Sequence, residues 1–347
     1  QVEPDGVQNG FERFTFRHSA LPEVDFADID LAVDFLGRRL SAPILISSMT
    51  GGVAHGWEII RRLAMAAQAM GCAMGVGSQR AAIEDPARER YFAVRDIAPD
   101  ILLFANLGAI QLNYGFGIDH CRRAVEMIGA DALILHLNPL QEALQPDGDR
   151  NFSSLAGKIE AVCATLEVPV VVKEVGSGIS ESVARTLVEC GVAAIDVSGS
   201  GGTSWSAVEH FRATDPVWRS VSRTFADWGI PTAESLLMVR KSAPSVPVIA
   251  SGGMRNGIEA AKALALGASV VGFAGPLLRA AAIGEDATFE ALQTLREELR
   301  LAMFCTGSRR VADLTTDLLF DRSPPPMDCS MQPARPSPAG TSTSEEP

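Results

Sequence analysis

Leu133-Ile-Leu-His136-Leu-Asn138-Pro-Leu-Gln141-Glu142 begins as a continuous apolar run and ends in a cluster of polar groups. An unbroken apolar run suits a strand buried on both faces, the situation of a parallel sheet covered by helices. The polar half sets His136, Asn138, Gln141 and Glu142 within seven positions, where the strand gives way to a loop. His136 and Asn138 are two apart, so on a strand they share one face. A strand end offering a nitrogen donor, two amides and a carboxylate can hold an anion and a metal ion. The bland alternatives are a satisfied core histidine at His136 and an exposed loop acid at Glu142.

The same pattern recurs on both sides of this stretch. Apolar runs at Pro43–Met49, Cys72–Gly77, Ile101–Leu107, Ala132–Asn138, Pro169–Val175, Ala193–Ser198, Pro247–Ser251 and Ser269–Phe273 are predicted strands. They alternate with amphipathic stretches such as Trp57–Met70, Cys121–Ile128, Ser180–Cys190 and Gly257–Leu266. Eight strands alternating with helices, with no antiparallel block, predict an α/β chain with a parallel sheet. The count fits a (β/α)8 TIM barrel. An open doubly wound sheet is the rival, but its G-x-G-x-x-G turn is missing. The first strand runs instead into Ser47-Ser48-Met49-Thr50-Gly51-Gly52.

Residues 1–42 precede the barrel as a lid or hairpin segment, with strand-like alternation at Phe11–His18. The barrel is expected over 43–322. Residues 323–347, rich in Pro, Ser and Thr, are expected to be disordered. Gln145–Phe152 is a turn-rich loop, and Gly202–Pro231 is a long insertion carrying Trp205, Trp218 and Trp228. Long loops on the catalytic face of a barrel serve as lids or subunit contacts, so a homo-oligomer is expected.

Composition narrows the partner. A formal net charge of −12 argues against nucleic acid or an anionic membrane as a general ligand. An anionic small molecule must then be caught by placed Arg, Lys, His and backbone N–H groups. The six cysteines show no C-x-x-C spacing and read as reduced thiols of a cytoplasmic protein. No charge-free apolar stretch reaches membrane-spanning length, and the N-terminus has no signal-peptide pattern. The chain starts at Gln1 rather than Met, so residues upstream are expected.

In a (β/α)8 barrel the carboxyl ends of the strands share one rim, and here polar residues and glycines gather at every end. The ends of the seventh and eighth strands, Ser251-Gly252-Gly253-Met254-Arg255 and Ala274-Gly275-Pro276, suit a phosphate. Glycines allow close backbone approach, the following helices offer free N–H groups, and Arg255 adds a charge-assisted contact. Lys173, after Val170-Val-Val172, is either a Schiff-base lysine or a cation set against a cofactor that becomes negative. Its structural alternative is pairing with a neighbouring carboxylate such as Glu174. Asn106 and Ser78 provide hydrogen bonds to a planar heterocycle, and Met49 an apolar face. With the phosphate cradle, this set suits flavin mononucleotide, whose reduced form carries charge near N1. Glu142 can bind Mg²⁺ through one carboxylate, with water and a phosphate filling the other positions.

Taken in order, Ser48-Met-Thr-Gly-Gly52, Gly77-Ser-Gln-Arg80, His136-Leu-Asn-Pro-Leu-Gln-Glu142, Val172-Lys-Glu-Val-Gly176, Ser198-Gly-Ser-Gly-Gly-Thr-Ser-Trp205 and Ser251-Gly-Gly-Met-Arg255 resemble the type 2 isopentenyl-diphosphate isomerases. The likeness runs from Phe11 to Thr316, and the H-x-N-x-x-Q-E element is specific to that family. It implies an FMN- and Mg²⁺-dependent isomerase, its flavin kept reduced by NADPH. It further implies flavin contacts from Ser48, Met49, Thr50, Ser78, Asn106, Lys173, Ser198, Thr203, Gly253, Met254, Arg255, Ala274 and Gly275. Substrate contacts would come from Ser78, Gln79, Arg80, His136, Asn138 and Gln141, with Glu142 on the metal. Gln141 and Lys173 are the implied catalytic pair. The family's N-terminal Arg-Lys pair, which grips the diphosphate, has no counterpart before Phe11 and is expected upstream of Gln1. Two other readings remain: an FMN-dependent α-hydroxy-acid oxidase or dehydrogenase, and a flavin-binding homologue without isomerase activity.

Overall fold

Eight short strands, Ile44–Ile46 (β1), Ala73–Gly75 (β2), Leu103–Gly108 (β3), Ala132–Leu137 (β4), Val170–Glu174 (β5), Ala194–Asp196 (β6), Val248–Ala250 (β7) and Val270–Phe273 (β8), close into one parallel barrel in sequence order. The structure, a computed structural model, describes residues 6–49 and 54–322; the tail expected to be disordered and Thr50 lie outside them. Each observed strand falls within its predicted run except β3, which runs one residue further, to Gly108. Leu45, Ala73, Phe104, Ile134, Val171, Ala194, Ile249 and Val270, one from each strand, fill the interior. Ile46, Met74, Leu103, Leu135, Val172, Ile195 and Phe273 belong to the separate core between strands and helices. Both faces of every strand are therefore apolar, which is why the sequence shows runs rather than alternation. Emptying the interior at Phe104, which has no exposed surface, is a cavity-forming change of about 3–5 kcal/mol.

The bottom of the barrel is plugged by a hairpin, Val33–Phe35 paired with Arg38–Leu40. Leu36 and Gly37 both take positive φ, 47° and 76°, the geometry of a two-residue turn that matches strand twist. The turn delivers Phe35 and Leu40 into the interior cluster. The strand-like alternation at Phe11–His18, read as a lid or hairpin segment, finds its partner far along the chain. Phe14–Phe16 pairs antiparallel with Leu319–Asp321, tying the two ends of the described chain together.

The Trp-rich insertion forms two helices, Trp205–Arg212 and Pro216–Thr224, before the helix Thr232–Ser242 returns to β7. Ser204 and Asp215 cap the first two by accepting from backbone N–H groups of the first turn. Phe211, Val217 and Trp228 on this insertion are exposed. Among the described residues no helix is long and apolar enough to cross a membrane.

Candidate active site

Side chains on a strand alternate faces, so two residues beyond each interior position lies the next inward one. Applied to the eight strands, this gives Ser47, Gly75, Asn106, His136, Lys173, Asp196, Ser251 and Gly272. The apolar interior thus ends in a layer of polar groups and glycines, of which Ser47, Asn106, His136, Lys173, Ser251 and Gly272 line a cavity of ≈ 680 Å³ at the carboxyl ends of the strands. The register of β4, β5 and β6 sets His136 beside Lys173 and Lys173 beside Asp196.

Lys173 is held, not free. Its Nζ lies 3.2 Å from an Asp196 carboxylate oxygen and donates to Ser251 Oγ at 3.1 Å. Ser251 in turn donates to the other Asp196 oxygen at 2.6 Å. The partner is Asp196 rather than Glu174, because residues 173 and 174 point to opposite faces of β5. Glu174 instead accepts backbone N–H groups of Val175, Gly176 and Ser177 on one oxygen, fixing the loop that follows.

His136 is neutral. Its Nδ1 lies 2.8 Å from Asn106 Oδ1, an oxygen that can only accept, so Nδ1 carries the proton. Burial pushes the imidazole down to about 4, and the Lys173 charge adds to the effect. The nitrogen group expected at this strand end is therefore a neutral ring whose Nε2 keeps a lone pair.

On the far side, Gly252 and Gly253 take φ of 104° and 69°, and the turns after β6 and β7 lie backbone to backbone. A Cβ on Gly253 would stand 2.4 Å from the carbonyl carbon of Gly201. Arg255 ties the same turns by donating to the carbonyl oxygens of Gly201 and Gly253 at 2.7 and 3.0 Å. The helix Gly275–Ile283 starts at this edge of the cavity, so its first N–H groups have no intrahelical acceptors. Ser47 Oγ and Ser48 Oγ are buried without a protein partner in the cavity wall. Orphaned hydroxyls, glycines in the cavity wall and the N–H groups of a helix start beside Arg255 fit a flavin mononucleotide.

The opposite rim carries the amides. Asn138 donates through Nδ2 to Gln141 Oε1 at 3.2 Å and to Glu142 Oε1 at 2.9 Å. Its own Oδ1 is buried and unpartnered. Glu142 Oε2 accepts from the backbone N–H of Asp149 at 2.8 Å. Asp149 Oδ2 accepts from Arg80 Nη1 at 3.0 Å and Gln111 Nε2 at 3.1 Å. Among the described residues no three His, Cys, Asp or Glu side chains form a metal cluster. One carboxylate beside an orphaned amide oxygen fits a hard cation that takes its remaining ligands from water and a bound phosphate.

Ser48, Met49, Ser78, Asn106, Lys173, Ser198, Thr203, Gly253, Met254, Arg255, Ala274 and Gly275 all line this single cavity, as do Arg80, His136, Asn138, Gln141 and Glu142. Gln79 does not. Its amide is fully buried, donating to Ala124 O at 2.8 Å and accepting from Asn106 N at 2.9 Å. It braces the turn while its neighbours Ser78 and Arg80 face the cavity. Sequence reasoning passed over Asp196, Gln111, Val208 and Arg279, and took Ser251 only as part of a glycine-rich strand end. Asp196 had a signal: a carboxylate inside an apolar strand needs a buried partner. Cys72 and Cys121 are not nucleophiles here, since burial pushes their thiols up to about 12 and about 11.

Known proteins agree with this geometry. The profile of the FMN-dependent dehydrogenase family matches residues 6–95 and 138–321, and the chain belongs to that family of flavoprotein barrels. A mandelate oxidase mutant with the monooxide FMN adduct shares the fold, with a TM-score of 0.63 at 23% identity over 90% of this chain and 89% of that one. Relatives much nearer in sequence are named isopentenyl-diphosphate delta-isomerase. The Nostoc sp. protein is 54% identical over 306 residues, 88% of this chain and 87% of its own length. The Stutzerimonas stutzeri protein is 56% identical over 315 residues, 90% of this chain and 91% of its own. Within the flavoprotein family, the chain is a member of the isopentenyl-diphosphate delta-isomerases.

Proposed function

We propose that this protein interconverts isopentenyl and dimethylallyl diphosphate, holding reduced FMN in the barrel mouth and Mg²⁺ on the diphosphate, with NADPH supplying the reducing equivalents. The observation that carries the reading is the presence of Lys173 and Gln141 on one cavity wall system with the phosphate cradle and Glu142. Moving a double bond along a five-carbon chain requires a proton at one carbon and removal of a proton from another, with no net redox. An unactivated alkene is a weak base, so the developing cation needs an electron-rich, preorganised surrounding. Reduced FMN supplies such a face and a proton-carrying nitrogen.

The residues divide the remaining work. Ser48, Met49, Ser78, Asn106, Ser198 and Thr203 hold the ring system, and Gly253, Met254, Arg255, Ala274 and Gly275 hold its phosphate. Lys173, screened by Asp196, would set a cation against the charge of a reduced flavin. Arg80 would take the diphosphate and Glu142 would hold the metal on it, while neutral His136 acts as a hydrogen-bonding group. Asn138 and Gln141 fix the hydrocarbon end. Self-association through the insertion is supported by exposed Phe211, Val217 and Trp228. A reducing cytoplasmic setting is supported by the free thiols of Cys72, Cys121, Cys163, Cys190 and Cys305.

The test is anaerobic incubation of the FMN-loaded protein with NADPH, Mg²⁺ and isopentenyl diphosphate, beside a separate aerobic incubation of the oxidised FMN-loaded protein with mandelate or lactate and no NADPH. Dimethylallyl diphosphate should form, dependent on all three additions. Oxidation of either hydroxy acid without isomerisation, or an inert loaded protein, overturns the reading.

A further inference from the structure

We infer that Asp149 is a positioning residue that holds the guanidinium of Arg80 and the carboxylate of Glu142 at a fixed separation, so that a metal-bound diphosphate meets both together. The inference rests on the proposed reaction and adds a residue to it.

Asp149 sits in the turn-rich loop after β4 and joins the ends of three strands. Its Oδ2 accepts from Arg80, which follows β2, and from Gln111, which follows β3. Its backbone N–H donates to Glu142, which follows β4. The loop cannot drift from Glu142, because it is folded directly onto the backbone of that residue. A Cβ at Gly148 would stand 1.9 Å from the Glu142 carbonyl oxygen, and Gln145 N and Gly148 N close the turn by donating to Gln141 O and Gln145 O.

Arg80 has a second carboxylate, Glu84 on its own helix, which accepts from Nε at 2.9 Å. With Nε and one Nη1 proton engaged, three of its five N–H groups remain for a ligand. Glu84 alone orients the arginine relative to its own helix. Asp149 orients it relative to the metal-facing carboxylate across the mouth. Ordering a long, half-exposed side chain before the ligand arrives removes a cost from binding. The same ion pair contributes little to fold stability, since Arg80 is well exposed.

The experiment measures binding of inorganic pyrophosphate with Mg²⁺ to the FMN-loaded protein by calorimetry, alongside steady-state turnover of isopentenyl diphosphate. Asp149→Ala keeps the backbone N–H to Glu142 and loses the link to Arg80. Its pyrophosphate Kd should rise about tenfold or more, and KM should rise in parallel with kcat within about threefold. FMN affinity and the thermal midpoint should stay at wild-type values. In an Arg80→Ala background Asp149→Ala should add less than about twofold, the non-additivity of a shared contact. Asp149→Asn, which preserves shape, should weaken pyrophosphate by about threefold, and carries the test should the alanine variant fold poorly. Unchanged pyrophosphate affinity in either folded variant, or full multiplication of the two effects in the double variant, overturns the inference. An isomerase indifferent to Asp149 sinks the inference alone. Asp149-dependent pyrophosphate binding without isomerisation sinks the reaction alone.

Discussion

Lys173 and Asp196 occupy the same level on adjacent strands and form a buried ion pair at the floor of the cavity, their side chains 8% and 0% exposed. Removing one member of such a pair leaves an uncompensated charge and costs about 3–5 kcal/mol. Asp196→Asn is therefore expected to lower the stability of the FMN-free protein by that amount in urea unfolding. Loaded with FMN, the same variant should show a more positive flavin midpoint potential, because an unscreened cation favours the more negative reduced form. Lys173→Met should move the potential the other way. Equal potentials in both variants and wild type would place the pair outside flavin range.

His136 has a folded-state pKa of about 4 against an ordinary value of 6.5. Below pH 6.5 the unfolded chain takes up a proton that the folded chain refuses. Stability is thus fully present above 6.5 and is lost as pH falls toward 4, by roughly 3 kcal/mol at 1.36 kcal/mol per unit. Burial pushes the Glu174 carboxyl up to about 7, an opposing contribution over much of the same window, so the readout is a difference: as pH falls, urea midpoints of the FMN-free protein should drop further in wild type than in His136→Gln. Identical slopes would show that another group titrates there.

The barrel was legible because each strand is apolar on both faces and each ends in glycines or polar groups, signals local to a few residues. The mouth was legible only in part. His136 and Lys173 stand at visible strand ends, whereas Asp196 matters through the register of β5 on β6, which no local pattern states. Gln79 sits between two residues that do reach the cavity, and only the path of the turn sends its amide inward to Ala124 and Asn106. The alternation at Phe11–His18 reads correctly as a strand, but its partner Leu319–Asp321 lies at the other end of the sequence. The loop Gln145–Phe152 reads as turns; its grip on Arg80 and Glu142 is a tertiary fact.

Gly253 tests the cradle. At φ 69° an alanine carries a left-handed penalty of roughly 1–2 kcal/mol. Its Cβ would also meet backbone of Gly201 at 2.4 Å, so the two turns must part. Gly253→Ala is expected to keep the barrel, as read by circular dichroism, while FMN Kd rises about tenfold or more. Riboflavin, which lacks the phosphate, should lose much less. Parallel losses for both ligands would place the phosphate elsewhere.

Gln141 presents one end of its amide to the protein and the other to the cavity. Its Oε1 accepts from Asn138 Nδ2, which leaves the NH₂ group as the end available to a substrate. In that orientation the residue donates hydrogen bonds and has no proton-accepting role. Gln141→Glu keeps an oxygen for Asn138 but replaces the donor with a second oxygen and a negative charge. Were Gln141 standing in for a base, the carboxylate would raise turnover. If it works as a donor, kcat should fall about a hundredfold in both Gln141→Glu and Gln141→Ala, with KM within about fivefold of wild type. Steady-state kinetics with isopentenyl diphosphate separates the two, and a glutamate variant as fast as wild type would remove Gln141 from the donor role.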